Sequence, residues 1–124
     1  MSERVADAIV RRELLLSLVY VAVAGSVSTI GWSPRGLAIG TVVAAVSFLL
    51  VAASDRSEAG KWALVGIGTL AIVALAVSTV TNSVPVGAIA PSMLGMAVGF
   101  GLNRVLFGVL SPVPEPRRRR EAAD

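Results

Sequence analysis

Apolar positions in this chain fall in long unbroken runs, not at the spacing of a surface helix or a half-buried strand. The first run covers 14–30. The second begins at Gly36 or Leu37 and ends at Ala53, and the third extends from Trp62 to Val80. The fourth begins between Val84 and Pro91 and fades near Leu102. Each holds at least 17 residues, and the first three contain no Asp, Glu, Lys or Arg. Runs of about 17–25 apolar residues are the length needed to cross a hydrocarbon core about 30 Å thick. Backbone groups in lipid must be satisfied internally, which leaves helices or a closed barrel. Barrel strands alternate polar and apolar positions over about ten residues, and these runs do not. The pattern predicts an all-α membrane protein with spans at about 14–30, 37–53, 62–80 and 86–104.

The breaks between runs carry turn chemistry. Gly31-Trp32-Ser33-Pro34-Arg35-Gly36 combines glycine, proline and an interfacial tryptophan. Ser54 to Lys61 is short and charged, and Thr81 to Gly87 is polar and then rich in proline and glycine. Short connections make successive helices antiparallel neighbours, so the expected architecture is an up-down-up-down bundle over 14–110. Residues 1–13 form an N-terminal segment, in which Val5, Ala8, Ile9 and Arg12 outline a short amphipathic helix. Residues 111–124 form a Pro/Arg-rich tail, read as an extended, proline-stiffened spacer.

Charge orients this arrangement. Arg4, Arg11, Arg12, Arg56, Lys61, Arg104, Arg117, Arg118, Arg119 and Arg120 fall on one side of a four-span layout, and Arg35 alone falls on the other. The positive-inside rule then puts both termini and the middle loop in the cytoplasm of a multi-pass protein of the cell membrane. Ala22-Val23-Ala24 has the small-residue form of a signal-peptidase site. Cleavage after Ala24 would leave three spans in the same orientation, but the apolar run continues to Ile30, which favours an intact helix.

A shift of 50 residues aligns Val27-Ser28-Thr29-Ile30 with Val77-Ser78-Thr79-Val80. One further residue of shift aligns Pro34 with Pro85 and Gly36 with Gly87. Each half then reads as basic residue, helix, Val-Ser-Thr, Pro-x-Gly turn, helix. A duplicated helical hairpin produces this pattern, and so does chance matching of Ala/Val/Leu/Gly-rich helices.

Composition narrows the chemistry. A mean hydropathy of +0.79 over 124 residues is more than a soluble domain of this size can bury. Cysteine and histidine are absent, which removes thiolate chemistry, the commonest general base and the usual soft metal ligands. No nucleophile–base pair can be assembled, so no enzyme and no cofactor is expected. Glu13, Asp55 and Glu58 lie at the cytoplasmic boundary next to basic residues that are expected to neutralise them.

Gly36 and Gly40 in the second run, and Gly95 and Gly99 in the fourth, recur every four residues and so form small-residue stripes for close helix packing. Ser28, Thr29, Ser78 and Thr79 gather near the outer ends of the first and third runs as candidates for a polar vestibule. Arg104 and the tail residues Arg117, Arg118, Arg119 and Arg120 are expected as interface anchors that contact anionic lipid headgroups. The expected partners are the bilayer, a second copy or a larger membrane complex, and not nucleic acid. The functional expectation is a structural or accessory membrane subunit, and the alternative is a small passive transporter or channel acting as an oligomer.

Overall fold

The computed structural model describes residues 2–123; Met1 and Asp124, at the ends of the expected terminal segments, lie outside them. Every regular element is helical. α1 spans Ser2–Val27 and runs into a tight turn at Ser28–Ile30. α2 spans Pro34–Arg56, α3 Glu58–Val80 and α4 Val86–Arg104. A wide π-type turn, Val105–Leu110, leads from α4 toward α5, Glu115–Ala123.

Local chemistry sets the boundaries. The Ser33 hydroxyl caps α2 by accepting from the Gly36 amide at 2.8 Å, and Pro34 follows in the first turn, where its missing N–H costs nothing. Ser57 alone separates α2 from α3. Its amide donates to the Ala53 carbonyl at 3.0 Å, ending α2, and its hydroxyl accepts from Gly60 at 2.9 Å, starting α3. Only glycine fits at position 60, because an added Cβ would press into the Ala53 carbonyl. The turns before α2 and after α3 use left-handed backbone at Gly31 (φ 121°) and Asn82 (φ 54°), two residue types that tolerate it.

Among the described residues three helices are long and apolar enough to cross a membrane: α2, α3 and the stretch Val86–Leu110, with peak mean hydropathy of 2.3, 2.3 and 1.6. In α1 the apolar part starts at Leu14, and the α-helix ends at Val27, short of the expected Ile30.

The helices pack as an open row. α4 lies between α1 and α2, α3 packs against α2, and among the described residues no backbone contact joins α1 to α2, α1 to α3 or α3 to α4. Contact order gives the directions. Glu13 meets Arg104 and Tyr20 meets Phe100, so α1 runs antiparallel to α4. Against α2, a Cβ on Gly40 would fall 2.6 Å from the Pro91 carbonyl oxygen. One on Gly95 would fall 3.2 Å from the Ala44 nitrogen, and one on Gly99 3.0 Å from the Phe48 nitrogen. The sequence numbers rise together, so α2 and α4 are parallel, with backbones in direct contact.

α3 differs from the rest. Apart from Gly60 at its start, none of its residues is buried. Ile72 is 71% exposed and Leu70 68%.

Candidate functional site

The buried polar groups gather where the first, second and fourth apolar runs meet the tail. Arg104, at the last turn of α4, is fully buried. Its Nη2 lies 2.5 Å from Glu13 Oε2 of α1 and 3.0 Å from Asp55 Oδ2 of α2, and its Nε donates to Glu13 Oε2 at 2.8 Å. One guanidinium therefore ties together three helices, two of which do not touch each other. The wide turn after α4 contributes as well. Phe107 leaves helical geometry at φ −114°, ψ 50°, and its carbonyl accepts from Arg104 Nη1 at 3.4 Å. Gly108 in that turn lets Val10 of α1 approach, since a Cβ there would meet the Val10 side chain at 2.6 Å.

The tail completes the cluster. Residues 115–123 form a helix, not the extended spacer expected from the prolines. Pro116 sits in the first turn, where proline is tolerated. Glu115–Arg119 and Arg117–Glu121 pair one turn apart. Val113, 2% exposed, anchors the approach to the helix. α5 lies across the ends of α1 and α2. Arg117 Nη2 donates to Glu13 Oε1 at 2.8 Å, and its Nη1 lies 3.7 Å from Asp55 Oδ1. Arg120 donates to the Ser54 carbonyl and sits 3.7 Å from Glu58.

Two acids and two arginines thus close a neutral cluster, with Asp55 and Arg104 sealed from solvent. Around it, Arg12 Nη1 bonds Glu121 Oε1 at 2.7 Å. That bond holds the Glu121 carboxyl below the ordinary glutamate range, against an opposing effect of burial, and raises Arg12 above its own. Asn103, also fully buried, donates to the Phe48 carbonyl at 3.3 Å and ties α4 to α2 beside the cluster.

The residues singled out in the sequence are placed as follows. Gly36, Gly40, Gly95 and Gly99 face the α2–α4 seam, within the chain itself. Ser28, Ser78 and Thr79 donate to carbonyls one turn back in their own elements, at 2.7, 2.8 and 2.9 Å. They and Thr29 lie on α1 and α3 ends that share no contact, so the four are not brought together. Arg104, expected as an interface anchor, is buried between Glu13 and Asp55 and not presented on the surface. Of the tail arginines, Arg117 and Arg120 point into the protein and Arg119 pairs with Glu115. Arg118 is half-buried, with no acidic partner among the described residues.

The cluster partners of Glu13 and Asp55 differ from those expected. Neighbours at i and i+1 point about 100° apart on a helix and do not face each other. Arg12 therefore turns to Glu121, and Arg56 caps the Ala52 carbonyl at 2.7 Å and stacks 4.6 Å over Phe107. The nearby-charge expectation holds for Glu58, which meets Lys61 three residues on at 3.6 Å. Among the described residues no group of three acidic side chains is arranged to hold a metal ion. Comparison with known protein families, with characterised proteins and with solved structures gives no match.

Proposed function

We propose that this chain is a four-span membrane protein with both ends and the middle loop in the cytoplasm, acting as a structural or accessory subunit that packs with other membrane helices. The observation that carries this reading is α3, an apolar helix with one neighbour and an otherwise uncovered surface. An open row ending in a bare helix leaves a lateral face for another helix to cover, and in lipid such contacts come from shape and small residues, not from hydrophobicity. Gly66 and Gly68 on α3 have open space beside them. A passive pore is the weaker reading, since it needs polar side chains along a shared path, and the hydroxyls of α1 and α3 are spent within their own helices.

Two further observations bear on the architecture. α1 runs antiparallel beside α4 from the Arg104 end to the outer turns, which supports counting it as the fourth span. The α2–α4 seam pairs Gly36 with Gly87, Gly40 with Pro91, Ala44 with Gly95 and Phe48 with Gly99. Each pair is separated by the same interval as the Pro-x-Gly repeat in the sequence. Parallel helices related by a two-fold axis between them meet in equal register, so this seam supports descent from a duplicated hairpin.

Orientation is testable directly, because the chain has no cysteine and each introduced one is unique. With an impermeant maleimide on intact cells, Ser83→Cys is expected to react, whereas Ala59→Cys and Ala122→Cys are protected until the membrane is opened. The reverse pattern refutes the orientation. For the subunit reading, tagged protein is extracted in mild detergent and its companions are identified by mass spectrometry. The expected result is a stoichiometric membrane partner that is lost when Gly66 and Gly68 are replaced by leucine. Recovery of monomer alone, or a partner indifferent to those changes, refutes it.

A further inference from the structure

A cleft of about 680 Å³ opens between α1 and α3, with α2 and α4 as its floor. Its walls are apolar. Leu16, Val19 and Tyr20 contribute from α1, with Leu64 from α3 and Phe100 from α4. One end is different, for there Arg12, Glu13 and Arg117 line the cleft beside Ser54. Arg12, Leu16, Val19 and Tyr20 lie on one stripe of α1, so the charged end and the apolar groove are collinear. From Arg12 to Tyr20 the stripe is about 12 Å long at 1.5 Å per residue. That is close to the depth of one leaflet, half of a hydrocarbon core of about 30 Å.

We propose that this cleft is a binding site for one glycerophospholipid, with an acyl chain in the groove and its phosphate on Arg12. The proposal rests on the membrane reading above. The orientation decides only which leaflet supplies the lipid.

Size separates a lipid from a helix as occupant. A helix about 10 Å across would fill roughly 900 Å³ over 12 Å of length, more than the cleft provides, whereas a single acyl chain is much thinner. The charged end has donors to spare. Arg12 is more than half exposed and uses one of five guanidinium donors, its Nη1, on Glu121. Arg117 is already spent on Glu13, Asp55 and Glu121, and its Nε is buried, so the accessible donors are those of Arg12. Arginine forks are suited to bidentate binding of phosphate. The carboxylates at this end are already engaged, Glu13 by Arg104 and Arg117, and Glu121 by Arg12. A lipid phosphate therefore meets the free edge of Arg12, which has no other acceptor, at the depth where headgroups lie.

The test is native mass spectrometry of the full chain in mild detergent, titrated with phosphatidylglycerol or with diacylglycerol carrying the same acyl chains and no phosphate. The expected result is retention of one phosphatidylglycerol per chain, roughly fivefold better than diacylglycerol, from one arginine near the surface. Arg12→Gln is expected to remove that preference. Val19→Trp fills the groove at an exposed position and is expected to remove retention of both lipids while helicity by circular dichroism is unchanged. Leu16→Trp repeats the test should Val19→Trp disturb folding. Equal retention of the two lipids by the unaltered chain, or retention indifferent to both tryptophans, overturns the proposal. So does a lipid-free dimer as the dominant species. The cysteine-labelling result is independent, so an inverted topology with intact lipid retention overturns the orientation alone.

Discussion

Replacement of Arg104 by methionine, which keeps much of the side chain's length without its charge, probes the ion cluster most directly. The substitution removes the contacts at 2.5 and 2.8 Å to Glu13 and the contact at 3.0 Å to Asp55. Glu13 keeps Arg117 at 2.8 Å and remains partly exposed, so it loses little. Asp55, about 1% exposed, is left with Arg117 at 3.7 Å, beyond hydrogen-bond range. Removing one partner of a buried ion pair costs about 3–5 kcal/mol, because the remaining charge is stranded without water. The tail arginine offsets part of that cost, which places the expected loss at the lower end, about 3 kcal/mol, or roughly a hundredfold in the unfolding equilibrium. The assay is reversible unfolding in mixed micelles, with added SDS as denaturant and helicity by circular dichroism as readout. A companion variant, Arg104→Met with Asp55→Leu, removes both charges and is expected to recover most of the loss, since apolar replacement of a buried pair is often neutral or favourable. A loss below about 1 kcal/mol for Arg104→Met, or no recovery in the double variant, would refute the reasoning.

Three further outcomes follow from the same contacts. Gly40→Leu drives a side chain into the Pro91 backbone, with the first atom 2.6 Å from its oxygen. It is expected to cost about 1–3 kcal/mol in the same unfolding assay, while Gly66→Leu, with open space around it, costs almost nothing. Glu121 has a lowered folded pKa, so its bond to Arg12 is fully present above the ordinary glutamate range and is lost as pH falls through the lowered value. By hydrogen exchange, the extra protection of α5 in the unaltered chain over Glu121→Gln is therefore expected at neutral pH and should vanish in strong acid. Finally, Ser54 is 2% exposed beneath the tail. A cysteine there is expected to react with maleimide at least about tenfold faster in a chain ending at Leu110, because removing α5 uncovers it.

Much of the helical layout is legible in the apolar runs, because lipid-length helices need long uninterrupted stretches and their turns need Gly, Pro, Asn and Ser. The glycine stripes are legible too, since four-residue spacing puts Gly36 and Gly40 on one side of α2. Which surface they face is not, because a partner in another chain would satisfy the same pattern. The ion cluster is the part that escapes a linear reading. Glu13, Asp55, Arg104 and Arg117 come from four separate helices, and the two acids each have a basic neighbour in sequence, Arg12 and Arg56, that offers a simpler explanation. A boundary Asp beside Arg56 reads as locally neutralised until the helix phase of α2 turns Arg56 toward Phe107. The one available hint was Arg104 itself, a charge next to Asn103 near the end of an otherwise apolar run. The tail misleads for a related reason. Prolines suggest extension, but here they precede and open a short helix whose charges alternate at one-turn spacing.

The position of α4 between α1 and α2 bears on how the chain is made. α1 and α2 have no surface in common, and the acids each carries, Glu13 and Asp55, are matched by arginines encoded far downstream. Until α4 is threaded between them, the sides of α1 and α2 that face the gap have no neighbour, so this pair of helices is assembled by a later segment of the chain and not by its own connecting turn.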